Sequence, residues 1–190
     1  MGDLVKAILL LTFPAIVFVG GAYIMSNLSG RERVIRHLRD RLNPKDAKPL
    51  NQRLAGYDVE GVSRHWGALD TNARTIEQRF LEMDVVFPFL YGAALASALL
   101  FAWGALGRPF HPMWLLTPIA ITIVADWIEN LVHMKQLKVY AESGKGGLEA
   151  GWIQIASTAT IMKLVCFFST SLLLLYLTAW MMVRALSSPS

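Results

Sequence analysis

The sequence has little charge and almost no cysteine. Asp, Glu, Lys and Arg make up 17% of its 190 residues, whereas soluble domains carry roughly 25%. The lone cysteine, Cys166, can form no internal disulfide and leaves no room for a cysteine-rich metal site. No nucleotide-binding fingerprint is present, and no serine stands in a Gly-x-Ser-x-Gly elbow. These absences argue against a soluble domain, a cysteine-based metal protein and the common nucleotide-binding or serine-hydrolase patterns.

Apolar sequence is abundant instead. Hydrophobic residues make up 54% of the chain, and four stretches lack charged residues: 7–30, 85–107, 109–125 and 164–183. A bilayer core about 30 Å thick requires about 20 apolar residues per helix, so each stretch is close to one span. We therefore predict an all-α integral membrane protein built on a four-transmembrane-helix bundle.

The domain boundaries follow from these stretches. The first span is predicted at residues 1–30, and it lacks a clear signal-peptide cleavage site, so we expect it to be retained. The other three spans form a transmembrane region over residues 84–184, at about 84–106, 112–134 and 152–183. Residues 31–83 form a basic segment between the first and second spans, and 185–190 form a tail.

Positive charge is concentrated in the basic segment, which holds most of the 18 Lys and Arg residues. The opposite side of the predicted bundle has only Lys6, Arg108 and Arg184. An excess of Lys and Arg marks the cytoplasmic side of a membrane protein. We therefore expect a bacterial inner-membrane protein with a cytoplasmic basic segment and both termini in the periplasm.

The first part of the basic segment, residues 31–42, has the pattern of an amphipathic helix. Val34, Ile35, Leu38 and Leu42 fall on one face. Such a helix can lie on anionic lipid headgroups, each basic residue adding about 1 kcal/mol, or it can be a solvated stretch that only sets topology. The residues for lipid-surface contact are the five arginines Arg31, Arg33, Arg36, Arg39 and Arg41.

Two further helices are predicted in the basic segment. Asp58 is expected to cap a helix through Trp66, and Asp70 or Thr71 to cap the next. The second of these helices leads without a breaker into the second span, where Pro88 is expected to introduce a kink. We predict a cytoplasmic helical hairpin without a core of its own.

The third span carries a row of polar side chains. Asp126, Glu129, Asn130 and His133 are spaced i, i+3, i+4 and i+7, so they share one helical face. Ionisable groups in a bilayer are costly, and they usually face the bundle interior, pair with one another or serve a function. This face is therefore the first candidate for a functional site.

The predicted orientation brings polar residues of the other spans to the same side. Asp84 begins the second span there, and Tyr91 shares its face, while Lys163 lies in a row of small residues on the fourth. We predict a polar cluster that comprises Asp84, Tyr91, Asp126, Glu129, Asn130, His133 and Lys163.

Four motifs carry most of these residues: Gly56-Tyr57-Asp58, Asp84-Val85-Val86-Phe87-Pro88-Phe89-Leu90-Tyr91-Gly92, Ala125-Asp126-Trp127-Ile128-Glu129-Asn130 and Thr160-Ile161-Met162-Lys163. In these motifs the chain resembles a family of uncharacterised bacterial four-span integral membrane proteins. The resemblance covers most of the chain after the first span; it implies the four-span topology and no established activity. Gly61 departs from the pattern, since an acid is expected at that position of the helix-capping motif.

Several roles for the polar cluster are open. Glu129 and His133 could bind a divalent metal with Asp126 as a third ligand, because carboxylates and imidazole suit zinc, manganese or iron. Against this, Lys163 would repel a cation, and the other histidines, His37, His65 and His111, are expected in loops. The acids and lysine could instead form a proton path, or line a pocket for an amphiphile. They could also be interhelical contacts without a ligand, or part of a wet helical extension.

The leading interpretation is a non-enzymatic membrane protein without a cofactor, whose polar cluster binds an amphiphilic ligand or supports docking in a membrane assembly. A metal-dependent membrane enzyme acting on a lipid-like substrate is the alternative, followed by a small proton-coupled transporter. The expected partners are the lipid bilayer, anionic lipid headgroups, and a second copy or larger membrane complex. Nucleic acid is not an expected partner.

Overall fold

The computed structural model describes residues 2–108 and 111–187, and within these ranges the chain is helical and contains no strand. Two 3-10 turns, Leu50–Gln52 and Gly144–Gly147, interrupt the α-helices. The α-helices, in chain order, are α1 (Gly2–Ser29), α2 (Arg31–Arg41), α3 (Pro44–Ala47), α4 (Val59–Gly67), α5 (Thr71–Met83), α6 (Phe87–Ala105), α7 (Met113–Ser143) and α8 (Ala150–Ser187).

Four helical stretches are long and apolar enough to cross a membrane: Val5–Ser29, Thr71–Ala105, Met113–Gly147 and Ala150–Arg184. The predicted all-α class with four potential spans is thereby confirmed. Of the predicted tail, residues 185–187 continue α8, while 188–190 lie outside the described residues, as does Met1 of the first span.

The last two helices are longer than a bilayer requires. At 1.5 Å per residue, α7 with its 31 residues spans about 46 Å and α8 with 38 spans about 57 Å. Both exceed the roughly 30 Å of a hydrocarbon core. Their surplus lengths pack against the basic segment, where Leu137 of α7 and Ile153 of α8 are buried.

The bundle core is apolar and rich in aromatic rings. α1 packs against α6 and α8, and α7 packs against the same two helices. Phe18 of α1 lies at its centre, with ring centroids 5.9 Å from Phe87, 5.6 Å from Tyr91 and 4.6 Å from Phe167. Rings at these separations attract one another beyond simple burial. They attach α1 to α6 and α8.

Small residues allow α6 to approach its neighbours closely. Ala94, Ala98 and Ala102, which recur every four residues, are all buried. A Cβ atom added at Gly92 would lie 2.5 Å from Cδ1 of Ile123 on α7. Close backbone contact of this kind is the usual basis of helix association in membranes.

The join between α5 and α6 differs from the prediction. The helix does not run through Pro88 with a kink; α5 ends at Met83, a turn occupies residues 84–86, and α6 begins at Phe87. Pro88 therefore stands in the first turn of α6. N–H groups in the first turn of a helix have no intrahelical acceptor, so a proline there costs no hydrogen bond.

The basic segment is more than a hairpin. Its helices α2 to α5 enclose a second apolar cluster, in which Leu38, Trp66 and Leu69 are buried with residues from the ends of α7 and α8. This core is not the segment's own, because the surplus turns of α7 and α8 supply part of it. Asp58 and Asp70 cap α4 and α5 as predicted. With Gly61 at its N3 position, α4 is capped by Asp58 alone, whose carboxylate accepts from the Gly61 N–H at 2.7 Å.

A buried arginine and histidine stabilise the loop before α4. Arg53 donates to the carbonyls of Lys48 at 3.0 Å and Asp46 at 2.7 Å, and lies 3.3 Å from Nδ1 of His65. His65 was expected in a loop but is buried in α4. The same Nδ1 lies 3.1 Å from the Asp46 carbonyl. Burial lowers the pKa of His65, so the ring remains neutral at pH 7.

Arg31 departs from the lipid-surface prediction. Its guanidinium is buried in a two-point ion pair with Glu77, at 3.1 and 2.9 Å, and stacks 3.6 Å from the ring centre of Phe80. The planar guanidinium suits both contacts at once. The other four predicted surface arginines are exposed, namely Arg33, Arg36, Arg39 and Arg41.

Two adjacent glycines of α1 test its packing. A Cβ at Gly21 would overlap the ring of Phe87, whereas a Cβ at Gly20 has no heavy atom within 4 Å. Gly21→Ala should lower the free energy of unfolding by about 1–3 kcal/mol, as overpacking does, and Gly20→Ala should leave it unchanged or slightly higher. Thermal unfolding in mild detergent measures both, and equal melting temperatures would contradict the packing of α1 on α6.

Candidate functional site

The polar face of α7 is buried. Asp126 is 5% exposed, Glu129 and Asn130 0%, and His133 3%. The wet-extension interpretation does not describe these side chains, because the other helices cover them. The 3.6-residue period of α7 places all four on one buried face, with Asp126 and Glu129 towards α8 and His133 towards the basic segment.

Lys163 of α8 joins the two acids. Its Nζ atom lies 2.7 Å from Oδ1 of Asp126 and 2.5 Å from Oε2 of Glu129. Tyr91 of α6 donates a 2.8 Å hydrogen bond to the second oxygen of Asp126. Three helices therefore meet at Asp126. A lone charge in such a position would be strongly unfavourable, whereas each of these groups faces an opposite charge or a donor.

The turn between α5 and α6 is held by two side chains of α7. Asn130 donates through Nδ2 to the carbonyl of Asp84 at 3.1 Å, and Trp127 donates through Nε1 to the carbonyl of Val85 at 2.9 Å. The carbonyl of Asp84 lacks a helical partner because residue 88 is proline, and the carbonyl of Val85 lacks one because the helix is interrupted; unsatisfied backbone groups are costly inside a membrane protein. The two bonds satisfy them and set the position of the Asp84 side chain.

His133 faces the basic segment. Its Nε2 lies 2.8 Å from the hydroxyl of Tyr57, which is also 3.1 Å from Oγ1 of Thr160 on α8. Burial, followed by the nearby Glu129 carboxylate, raises the pKa of Tyr57, so its phenol stays protonated and can donate to the imidazole. The other ring nitrogen of His133, Nδ1, lies 4.0 Å from Oε1 of Glu129.

The structure thus brings Tyr91, Asp126, Glu129 and Lys163 into direct contact. Asn130 touches the backbone of Asp84. His133 lies beside Glu129 but makes its short contact to Tyr57 instead. The seven predicted residues surround one region of the bundle, and they play different parts in it.

The geometry does not favour a metal site. The ammonium of Lys163 lies between Asp126 and Glu129, where a cation would bind. Among the side chains that the structure describes, no group of three His, Cys, Asp or Glu residues could hold a metal ion. Glu129, His133 and Asp126 therefore lack the open coordination position that a catalytic metal needs.

A cavity of about 310 Å³ adjoins the ion pairs and lies between α1, α6, α7 and α8. We call it the polar-walled cavity. Its charged wall carries Asp84, Asp126, Lys163 and Arg31. Its mouth lies at the 3-10 turn after α3, where Gln52 is exposed. The aromatic residues on the remaining wall are Phe18, Phe80, Phe87, Tyr91 and Phe167.

A second cavity lies beside the first along the spans. This apolar groove has about 290 Å³ and runs between α1, α6 and α8. Phe18, Tyr91 and Phe167 border both spaces, and their rings pack on one another with centroids 5.6, 4.6 and 5.8 Å apart. Beyond these rings the groove is lined by aliphatic side chains such as Leu95 and Leu174. A charged space and an apolar space therefore lie side by side and share three aromatic residues.

Sequence reasoning missed several residues of this site. Tyr57 belongs to the Gly56-Tyr57-Asp58 motif, but no neighbouring residue in the sequence indicates that this loop tyrosine contacts His133. Phe18 and Phe167 are single aromatics in apolar spans and carry no periodic signal. Arg31 is one of many arginines, and its burial depends on Glu77, which lies 46 residues away.

No protein-family model matches the chain, and neither the curated proteins nor the solved structures contain a match. The resemblance to a four-span bacterial family therefore remains a prediction.

Removing the lysine tests the ion pairs. Lys163→Met should lower the free energy of unfolding by about 3–5 kcal/mol, because it leaves two carboxyls without their cation. Lys163→Met combined with Asp126→Asn and Glu129→Gln should recover most of that loss, since no charge then remains. Lys138→Met on the exposed face of α7 is the control. A melting temperature of Lys163→Met equal to that of the control would show that the pairs contribute nothing.

Proposed function

We propose that this protein is a non-enzymatic, multi-pass membrane protein that binds an amphiphilic molecule. The ligand's headgroup occupies the polar-walled cavity and its chain lies in the apolar groove. The observation that carries the proposal is that the charged cavity and the apolar groove lie side by side and share Phe18, Tyr91 and Phe167, so a ligand that occupies both would pass between these rings. Ligand sites typically combine apolar walls with a few convergent polar groups.

The depth of the site supports a membrane-derived ligand. Asp126 lies 13 positions after Met113, which is about 20 Å along α7 from its start. In a hydrocarbon core of about 30 Å, the polar wall then lies towards the end that carries the basic segment. The headgroups of that leaflet lie outside the hydrocarbon core, so a lipid headgroup would enter the protein by about 10 Å to reach the polar wall.

Binding is favoured over catalysis because the charged side chains of the site pair with one another. Lys163, Asp126 and Glu129 interact mainly with one another, so they form walls rather than a free acid or base. A proton relay from Tyr57 to Tyr91 would have to cross the 4.0 Å separation between His133 and Glu129. That separation exceeds a hydrogen bond and favours a static network.

The proposal includes a location and partners. The basic segment is cytoplasmic, both termini are periplasmic, and the membrane is a bacterial inner membrane. Arg33, Arg36, Arg39 and Arg41 are exposed on α2 and are suited to contact anionic headgroups. Association with a second copy or a larger membrane complex remains part of the proposal, with no particular partner implied.

Filling the cavity tests ligand binding. The protein purified in mild detergent should retain a lipid-like molecule in its native mass spectrum. Ala22, which borders the polar-walled cavity, is replaced in Ala22→Phe. The added ring should displace the molecule because it occupies the headgroup space. Ala93→Phe on the exposed face of α6 is the matched control and should retain it.

Two results would contradict amphiphile binding. One is a wild-type spectrum with no retained mass even when the protein is taken directly from its native membrane. The other is equal retention by Ala22→Phe and Ala93→Phe, which would place the molecule outside the cavity.

Orientation is tested by single cysteines in a Cys166→Ala background. Ser187→Cys and Gly146→Cys place thiols at exposed positions near opposite ends of α8. In intact cells a membrane-impermeant thiol reagent should label Ser187→Cys, and should label Gly146→Cys only after permeabilisation. The opposite pattern would place the basic segment outside.

A further inference from the structure

Carboxyl groups outnumber cations around the polar-walled cavity. Arg31 and Lys163 are the two cationic side chains on its wall. They face four carboxyls in all, which are Glu77, Asp84, Asp126 and Glu129. An empty cavity thus has an excess of acid, and a ligand that supplies positive charge would balance it.

Both protein cations are already engaged. Arg31 forms a two-point pair with Glu77 and lies 3.4 Å from the side-chain oxygen of Asn51. Lys163 bridges Asp126 and Glu129 at 2.7 and 2.5 Å. Neither cation can turn to Asp84 without abandoning a buried partner, and breaking a buried pair is strongly unfavourable.

Asp84 is the acid left for a ligand. It is only 5% exposed, and it borders the cavity. Its backbone carbonyl is held by Asn130, so the side chain starts from a defined position in the turn between α5 and α6. A carboxylate that is preorganised and buried binds a cation better than a mobile surface acid, because less ordering is needed on binding.

The aromatic wall fits the same ligand. Rings of Phe18, Phe87 and Tyr91 border the cavity together with Asp84, while the ring of Phe80 on the same wall is already covered by Arg31. Ring faces attract ammonium groups, most strongly where water is excluded, and aromatic cages with an acid are a common form of amine recognition. An anionic headgroup would meet the excess carboxyls instead, which is a basis for rejecting it.

We propose that the headgroup bound in the polar-walled cavity is a protonated amine, and that Asp84 is its carboxylate partner. This inference rests on the proposed amphiphile binding and specifies the class of ligand. A single ammonium pairs with Asp84 against the aromatic rings, and its alkyl chain follows the apolar groove between α1, α6 and α8.

Three probes with the same chain and different heads test the ligand class: dodecylammonium, dodecanol and dodecanoate. Binding is measured to the full-length protein in nanodiscs of neutral phosphatidylcholine, with empty nanodiscs correcting for partition into lipid. The wild type should prefer dodecylammonium over dodecanol by about tenfold or more, as a charge-assisted hydrogen bond predicts. Dodecanoate should bind most weakly.

Asp84→Asn should remove this preference, because the amide has the same shape and no charge. Glu82→Gln, which neutralises a nearby exposed acid on α5, is the matched control and should keep it. If Asp84→Asn does not fold, the order of the three probes on the wild type still decides the proposal. Equal binding of amine and alcohol overturns it.

Amphiphile binding and amine selectivity are rejected by different results. Equal affinity for all three probes, still abolished by Ala22→Phe, would reject the amine while keeping an amphiphile site. Binding of every probe that is unaffected by Ala22→Phe would reject the site itself and the amine with it. A preference for dodecylammonium that Asp84→Asn leaves intact would reject Asp84 as the partner.

Discussion

The bundle is organised around one interaction, the contact of the Lys163 ammonium with Asp126 and Glu129. It joins α7 to α8, and through the hydroxyl of Tyr91 it reaches α6 as well. Apolar side chains alone give membrane helices little preference for one rotation over another, since lipid tails solvate them equally well. A buried charge fixes that rotation, because every misaligned arrangement leaves a carboxyl or an ammonium facing hydrocarbon.

The break between α5 and α6 is the second determinant of the site. A continuous helix would have satisfied the carbonyl of Val85 through the Phe89 N–H, but the carbonyl of Asp84 would still have faced Pro88, which has no N–H. In the turn the two carbonyls accept from Asn130 and Trp127, so the amide and indole of α7 clamp the chain where Asp84 enters the cavity. The polar residues on α7 therefore have two roles. Asp126 and Glu129 pair with Lys163, and Asn130 binds the turn between α5 and α6.

Periodicity predicted the parts of this architecture that depend on one helix at a time. The spacing of Asp126 and Glu129 indicated their shared face, and Asp58 indicated the start of α4. Periodicity could not predict contacts between distant segments. Arg31 pairs with Glu77 through tertiary packing, and Tyr57 reaches His133 from a loop. The start of the helix that contains Pro88 was predicted a few residues too early. A proline fits either a kink inside a helix or its first turn, and the sequence alone does not distinguish the two.

The spans differ in how deeply they are embedded in the protein. Only 17% of the first span's most apolar window is buried, against 50% and 44% for the second and third. Yet α1 supplies Phe18 and Met25 to the wall of the polar-walled cavity. α1 is thus the least enclosed of the four spans, and it forms one wall of the cavity. If the cavity binds a lipid-like molecule, as we propose, that molecule could enter directly from the bilayer by displacing α1.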